Sequence, residues 1–113
     1  MKQRTEQSEQ QILVDYLRLR KLLFTATLGG VRLTIGQAVK IKRQGYSNGV
    51  PDILIFEASN GYHGLAIEMK KEKGGAVRPE QKEWIQALND RGYKAVVCKG
   101  AGQAIDEVIK YLK

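Results

Sequence analysis

Disulfide pairing and cysteine-based zinc knuckles are excluded at the outset, because the 113-residue chain carries a single cysteine, Cys98, within the apolar run AVVC. That setting reads as a small buried hydrophobe in a reducing compartment, so a cytoplasmic location is expected. Histidine is equally scarce. The one present, His63, follows Gly61 and Tyr62, which suits a turn or the start of a strand, and nothing places a serine beside it to build a serine–histidine–acid set. Neither a GxxxxGK nor a GxGxxG phosphate loop occurs despite 12 glycines. No apolar run approaches the roughly 20 residues of a membrane span, and the opening MKQRTEQSEQ offers no apolar stretch for a signal peptide. Repeats, low-complexity segments and Pro/Ser-rich linkers are also missing, so residues 1–113 are expected to form a single domain.

Positive charge, by contrast, is plentiful. Lysine and arginine total 19 against 12 acids, a formal net charge of +7. The basic residues are spread along the chain and form no tail, so they decorate a folded surface suited to an anionic partner. A solvated basic face that only aids solubility is the alternative reading. Membrane-surface binding would need a strongly amphipathic helix with exposed bulky apolar residues, and none is evident.

Periodicity predicts the order α β α β β α β α. A first helix runs from about Thr5 to Leu23, capped by Thr5 or Ser8, with Leu13, Tyr16, Leu17 and Arg20 at helical spacing. FTATL (24–28) reads as a strand, 34–44 as a helix with Ala38 and Ile41 inward, and GYSNG (45–49) as a turn. DILIF (52–56) is apolar on both faces, as a central strand would be. The next strand, His63 to Lys71, alternates Leu65, Ile67 and Met69 with Ala66, Glu68 and Lys70. Pro79 opens a helix whose stripe is Gln81, Trp84, Ile85 and Leu88. A strand at 93–99 and a helix at about 101–111 close the chain. A sheet covered by helices on both faces is the packing this order implies.

Chemistry gathers around the second and third strands. Asp52 follows Pro51 at the start of a buried strand, where a carboxylate is costly to desolvate without a cationic partner. Glu68 and Lys70, two apart, project from one face beside the small Ala66. If the two strands pair as an antiparallel hairpin, Asp52 meets the end that carries Glu68 and Lys70. Two carboxylates and the backbone carbonyl of Met69 would suit Mg²⁺ or Mn²⁺. Lys70 could then orient a water or neutralise charge on a phosphate. Taken singly, Asp after Pro is commonly a turn residue and Glu-x-Lys commonly a solvated face; only their combination within one hairpin is unusual.

GVPD (49–52) followed by IEMK (67–70) resembles the signature of the PD-(D/E)xK nuclease superfamily. With Ser8 and Glu9 on an early helix and PEQKEW (79–84) opening a later one, the chain is most similar to its virus-type replication-repair nuclease (VRR-NUC) family. The resemblance implies an α/β, restriction-endonuclease-like mixed sheet flanked by helices on both faces, and a metal-dependent DNA endonuclease. It further implies Asp52 and Glu68 as metal ligands, Lys70 as the catalytic lysine, Gln81 as an active-site polar residue, and Glu9 as a helix-borne acid and further candidate ligand. Read from the residues alone, Glu9 shares a stripe with Ile12 and Leu13 but could equally serve the helix dipole, and Gln81 could be a plain helix-end residue. Lys71, Lys73 and Arg78, around Gly74 and Gly75, would form a basic loop on the DNA backbone, with Lys40 and Arg43 as further DNA contacts. The expected partners are branched or junction DNA and a second copy in a symmetric dimer, with no membrane. The rival readings are a catalytically inactive basic DNA-binding module and a Holliday-junction-resolvase-like or restriction-like nuclease of different specificity.

Overall fold

The computed structural model describes residues 5–113. Helix α1 spans Glu6–Leu19 and starts at a reciprocal cap: the Ser8 N–H donates to the Thr5 side chain (3.0 Å) and the Thr5 N–H to Ser8 Oγ (2.9 Å). Its buried residues, Glu9, Leu13 and Leu17, follow a strict four-residue spacing, which leaves Ile12 38% exposed and off the inward stripe. The helix stops four residues short of the expected Leu23. Lys21 takes a left-handed φ of 57°, and the Lys21 and Leu22 amides turn back to the carbonyls of Arg18 and Leu17. This is a Schellman closure made without the usual glycine, so no residue type announced it.

After α1 come β1 (Phe24–Ala26), a 3-10 turn (Leu28–Gly30), α2 (Ile35–Arg43), β2 (Ile53–Ile55), β3 (Leu65–Lys70), α3 (Pro79–Asp90), β4 (Lys94–Lys99) and α4 (Ala101–Leu112). The strands form one mixed sheet in the order β1-β2-β3-β4, antiparallel except for the β3–β4 pair. The α/β class with helices on both faces is therefore what the fold shows. The second strand is shorter than expected, with Phe56 beyond its end and largely exposed. Helix α2 buries none of its residues; Ala38 and Ile41 are only partly covered. Among the described residues, no helix is long and apolar enough to cross a membrane.

Register assigns the two faces. Ile53 pairs with Ile67, and Ile67 with Val96, so the odd-numbered positions of β2 and β3 face α1 and α4. There Ile53, Leu65, Ile67 and Met69 pack with Leu13, Leu17, Val108 and Tyr111 in one core. Each such side chain contributes about 1.5–3 kcal/mol by leaving water. Burial pushes the Cys98 thiol up to about 12, aided by the nearby Glu107 carboxylate, so this cysteine is indeed an inert apolar filler. The opposite face carries Leu54, Ala66, Glu68 and Lys70, and α3 lies over it. Asn89 of α3 accepts from the Ala95 N–H (2.9 Å) and donates to its carbonyl (3.2 Å), tying the helix to β4. His63 sits at the far end of β3 from Lys70, its ring edge-on to Tyr93 at 5.4 Å. It is an exposed residue at the entry to the strand, as its sequence context suggested.

Gly49 docks the start of α3 against the turn before β2. Its φ is +90°, and a Cβ there would lie 2.5 Å from the Glu80 carbonyl oxygen. Gly49→Ala is expected to lose about 2 kcal/mol or more, roughly 8 °C in Tm. Gly45→Ala has comparable backbone strain (φ +108°) but open space around it, and should lose less. Thermal unfolding of the two variants checks this; equal losses would mean that the contact with α3 is not what Gly49 protects.

Candidate active site

β2 ends where the site begins. Extending the β2–β3 register by two residues sets Pro51 across from Met69. A residue with an amide would donate to the Met69 carbonyl here; proline has none, so the ladder stops. The Asp52 side chain takes over instead, its Oδ2 accepting the Met69 N–H at 2.8 Å. Since N–H and C=O of one strand residue point to the same side, the Met69 carbonyl is directed toward Asp52. Thr27 holds the segment from β1, donating its N–H to the Asp52 carbonyl and its hydroxyl to the Pro51 carbonyl, both at 2.9 Å. Gly29 leaves room for the carboxylate, because a Cβ there would lie 3.2 Å from Asp52 Oδ1.

The same register puts Glu68 opposite Asp52 on the face beneath α3. Glu68 is 2% exposed. Its Oε2 accepts from Gln81 Nε2 (3.1 Å) and lies 3.5 Å from Lys70 Nζ. Its Oε1 is buried without a donor. Burial first, then the Asp52 carboxylate, push the Glu68 pKa up to about 8, while Lys70 acts in the opposite direction. These neighbouring acids, Glu68 buried and Asp52 partly so, suit a hard divalent cation: two carboxylates, one of them with a donorless oxygen, and an uncapped carbonyl form an all-oxygen set.

The remaining candidates lie at different distances from this pair. Gln81 spans two jobs, its Oε1 accepting the Arg78 N–H at the start of α3 (2.9 Å) while its amide nitrogen holds Glu68. Lys70 is buried, its stem covered by Gly75, whose hypothetical Cβ would stand 3.5 Å from Lys70 Cδ. Glu9 is also buried, but at a different place, where it accepts the Ala101 N–H at the start of α4. The adjacent Gly100 N–H donates to the Lys70 carbonyl (2.9 Å), so Glu9 stands behind the lysine's backbone. Lys71, Lys73 and Arg78 are exposed on the loop between β3 and α3, and Lys40 and Arg43 on α2.

Sequence reasoning missed Tyr46. It lines a cleft of about 210 Å³ together with Asp52, Asn48, Arg78 and Gln81. Its hydroxyl pKa is raised, by burial and then by Asp52 and Glu68. The only available signal was its place in GYSNG just before the Pro-Asp pair, and a turn explains that cluster equally well.

The Glu68 shift has a stability consequence. A folded pKa near 8 against an ordinary value of 4.5 means that the stability from protonated Glu68 is present below about pH 4.5 and lost as pH rises through about 8. In EDTA, the Tm of Glu68→Gln relative to the unaltered protein should therefore rise between pH 5 and pH 9. A difference that is flat with pH would show that Glu68 does not carry the buried proton.

Comparison with known proteins agrees with this geometry. The VRR-NUC domain family model matches residues 4–102. Among solved structures, a VRR_NUC domain protein superposes with a TM-score of 0.83 at 32% identity, over 97% of this chain and 89% of that one. None of the curated proteins matches. The family is a nuclease family, and with nearly its whole length matched in both sequence and fold, the chain belongs to the VRR-NUC family.

Proposed function

We propose that this nuclease-family protein is a divalent-metal-dependent DNA endonuclease that hydrolyses phosphodiesters in branched or junction DNA. The observation that supports it is the convergence of the partly exposed Asp52 with the buried Glu68, with Lys70 beside them. Asp52, Glu68 and the Met69 carbonyl would hold Mg²⁺ or Mn²⁺. When bound, the cation lowers the pKa of water and screens phosphate charge. Hydrolysis adds a water oxygen to phosphorus and breaks the P–O3′ bond, leaving a 5′-phosphate and a 3′-hydroxyl. Lys70 orients the water and neutralises negative charge on the phosphorane oxygens. Gln81 fixes the Glu68 carboxylate, and Glu9 supports the Lys70 backbone through the start of α4. The exposed Lys71, Lys73 and Arg78, with Lys40 and Arg43, neutralise DNA phosphates, so affinity falls as salt rises.

Incubation with branched DNA and Mg²⁺ tests the reading. Cleavage should vanish in EDTA and fall at least about 100-fold in Glu68→Ala and in Lys70→Ala, with a blunt duplex cut more slowly than a junction. Cleavage that survives both EDTA and Glu68→Ala removes the mechanism, and salt-dependent binding without cleavage favours the inactive DNA-binding module.

A symmetric dimer belongs to the same proposal, since cutting two strands calls for two sites. Val31, Ile35 and Val39 are 51, 87 and 55% exposed on a segment that buries little else. Val31 also lines the cleft beside Asp52, so a second copy seated there would bring two acid pairs near each other. Light scattering should give twice the 12.7 kDa chain mass, and Ile35→Glu with Val39→Glu should yield monomers. A monomeric unaltered protein at tens of micromolar would eliminate the dimer.

A further inference from the structure

Trp84, the chain's only tryptophan, is on the stripe that the sequence assigns to packing against the sheet. In the fold it is only partly buried, with a hollow on either side. One, of about 310 Å³, runs from Trp84 to Tyr46, Val50 and Leu28. Those last three residues also line the cleft that contains Asp52 and Gln81. The other, of about 360 Å³, continues along α3 past Ala87 and Leu88 to Arg91, with Glu83 on its wall. Shared lining residues therefore link the cleft at Asp52, through Tyr46 and the indole, to Arg91, about 15 Å along the helix axis from Gln81.

We propose that the Trp84 shelf is a stacking subsite for an unpaired nucleobase of the substrate strand, next to the position of cleavage. The proposal rests on the nuclease reading and narrows its substrate to DNA whose strand is single near the scissile phosphate, as in a flap or an open arm. A base within a duplex has both faces covered by its neighbours, so only an unpaired one can lie on the indole. The shelf has the matching chemistry: a flat aromatic ring, apolar walls from Leu88, Ala87, Val50 and Leu28, and arginines (Arg78 and Arg91) toward its two ends to face phosphates. Stacking of this kind tolerates any base, which suits recognition by DNA shape.

The lone tryptophan reports its own occupancy. Metal-free protein in EDTA is titrated with an end-labelled single-stranded oligodeoxynucleotide, an abasic strand of equal length and a blunt duplex, reading label anisotropy and tryptophan emission together. The base-bearing strand should bind and quench Trp84, and the abasic strand should bind more weakly without quenching. Trp84→Ala should weaken single-strand binding roughly 5- to 150-fold, the range set by one base stack, and change duplex binding less than about twofold. Trp84→Phe, which keeps a stacking ring, should recover most of the affinity and covers the case in which Trp84→Ala fails to fold. Single-strand binding without quenching, or equal quenching by the abasic strand, overturns the shelf but leaves the nuclease reading intact. Emission that changes with protein concentration alone also overturns it, by showing that a second copy covers the indole. Absence of binding to all three DNAs overturns the nuclease reading, and the shelf with it.

Discussion

Glu68 is held almost wholly out of water with a second carboxylate against it, and much of the surrounding architecture is organised by that constraint. A buried carboxylate with an unsatisfied oxygen is one of the more costly groups a small domain can carry. Here the cost is met in part by Gln81 and Lys70 at one oxygen, and by a proton affinity raised to about 8. The other oxygen is left without a donor. That residual electrostatic deficit is what would draw the proposed cation to the pair, and it ties the sheet's chemistry to its thermodynamics.

Proline and aspartate divide the work at the end of β2. Pro51 removes the amide that would cap Met69, and the Asp52 side chain satisfies the Met69 N–H that the ladder would otherwise have served. Strand termination and placement of the Asp52 carboxylate are thus a single event in the chain. Nearby glycines clear the space: Gly29 beside the Asp52 carboxylate, Gly49 beneath the α3 backbone, and Gly75 against the Lys70 stem. A methyl group would crowd the Asp52 carboxylate at Gly29 and clash with the Glu80 backbone at Gly49, whereas at Gly75 it would only touch the lysine stem.

Gln81 and Trp84 show how α3 serves two sides of the same cleft. One turn places an amide on Glu68, with its geometry set by the Arg78 N–H. The next turn presents an indole toward the groove outside. The helix stripe read from periodicity is real, but a stripe only partly covered leaves part of an aromatic face available to a ligand.

What the sequence by itself determined was the element order and the pairing of Asp52 with Glu68 and Lys70, because alternation and helical spacing are local properties and a two-residue offset on a strand fixes a common face. A cap at Thr5 or Ser8 was readable for the same reason, and the structure joins the two. Tertiary structure alone decided the rest. The early end of α1 rests on Lys21 in a left-handed conformation with no glycine to mark it. Glu9 went to the start of α4, a contact between residues 92 positions apart that no local pattern encodes. Tyr46 came to the acids, and Trp84 to an open groove, because burial and proximity are set by which surfaces meet, and that depends on the packing of elements distant in the chain.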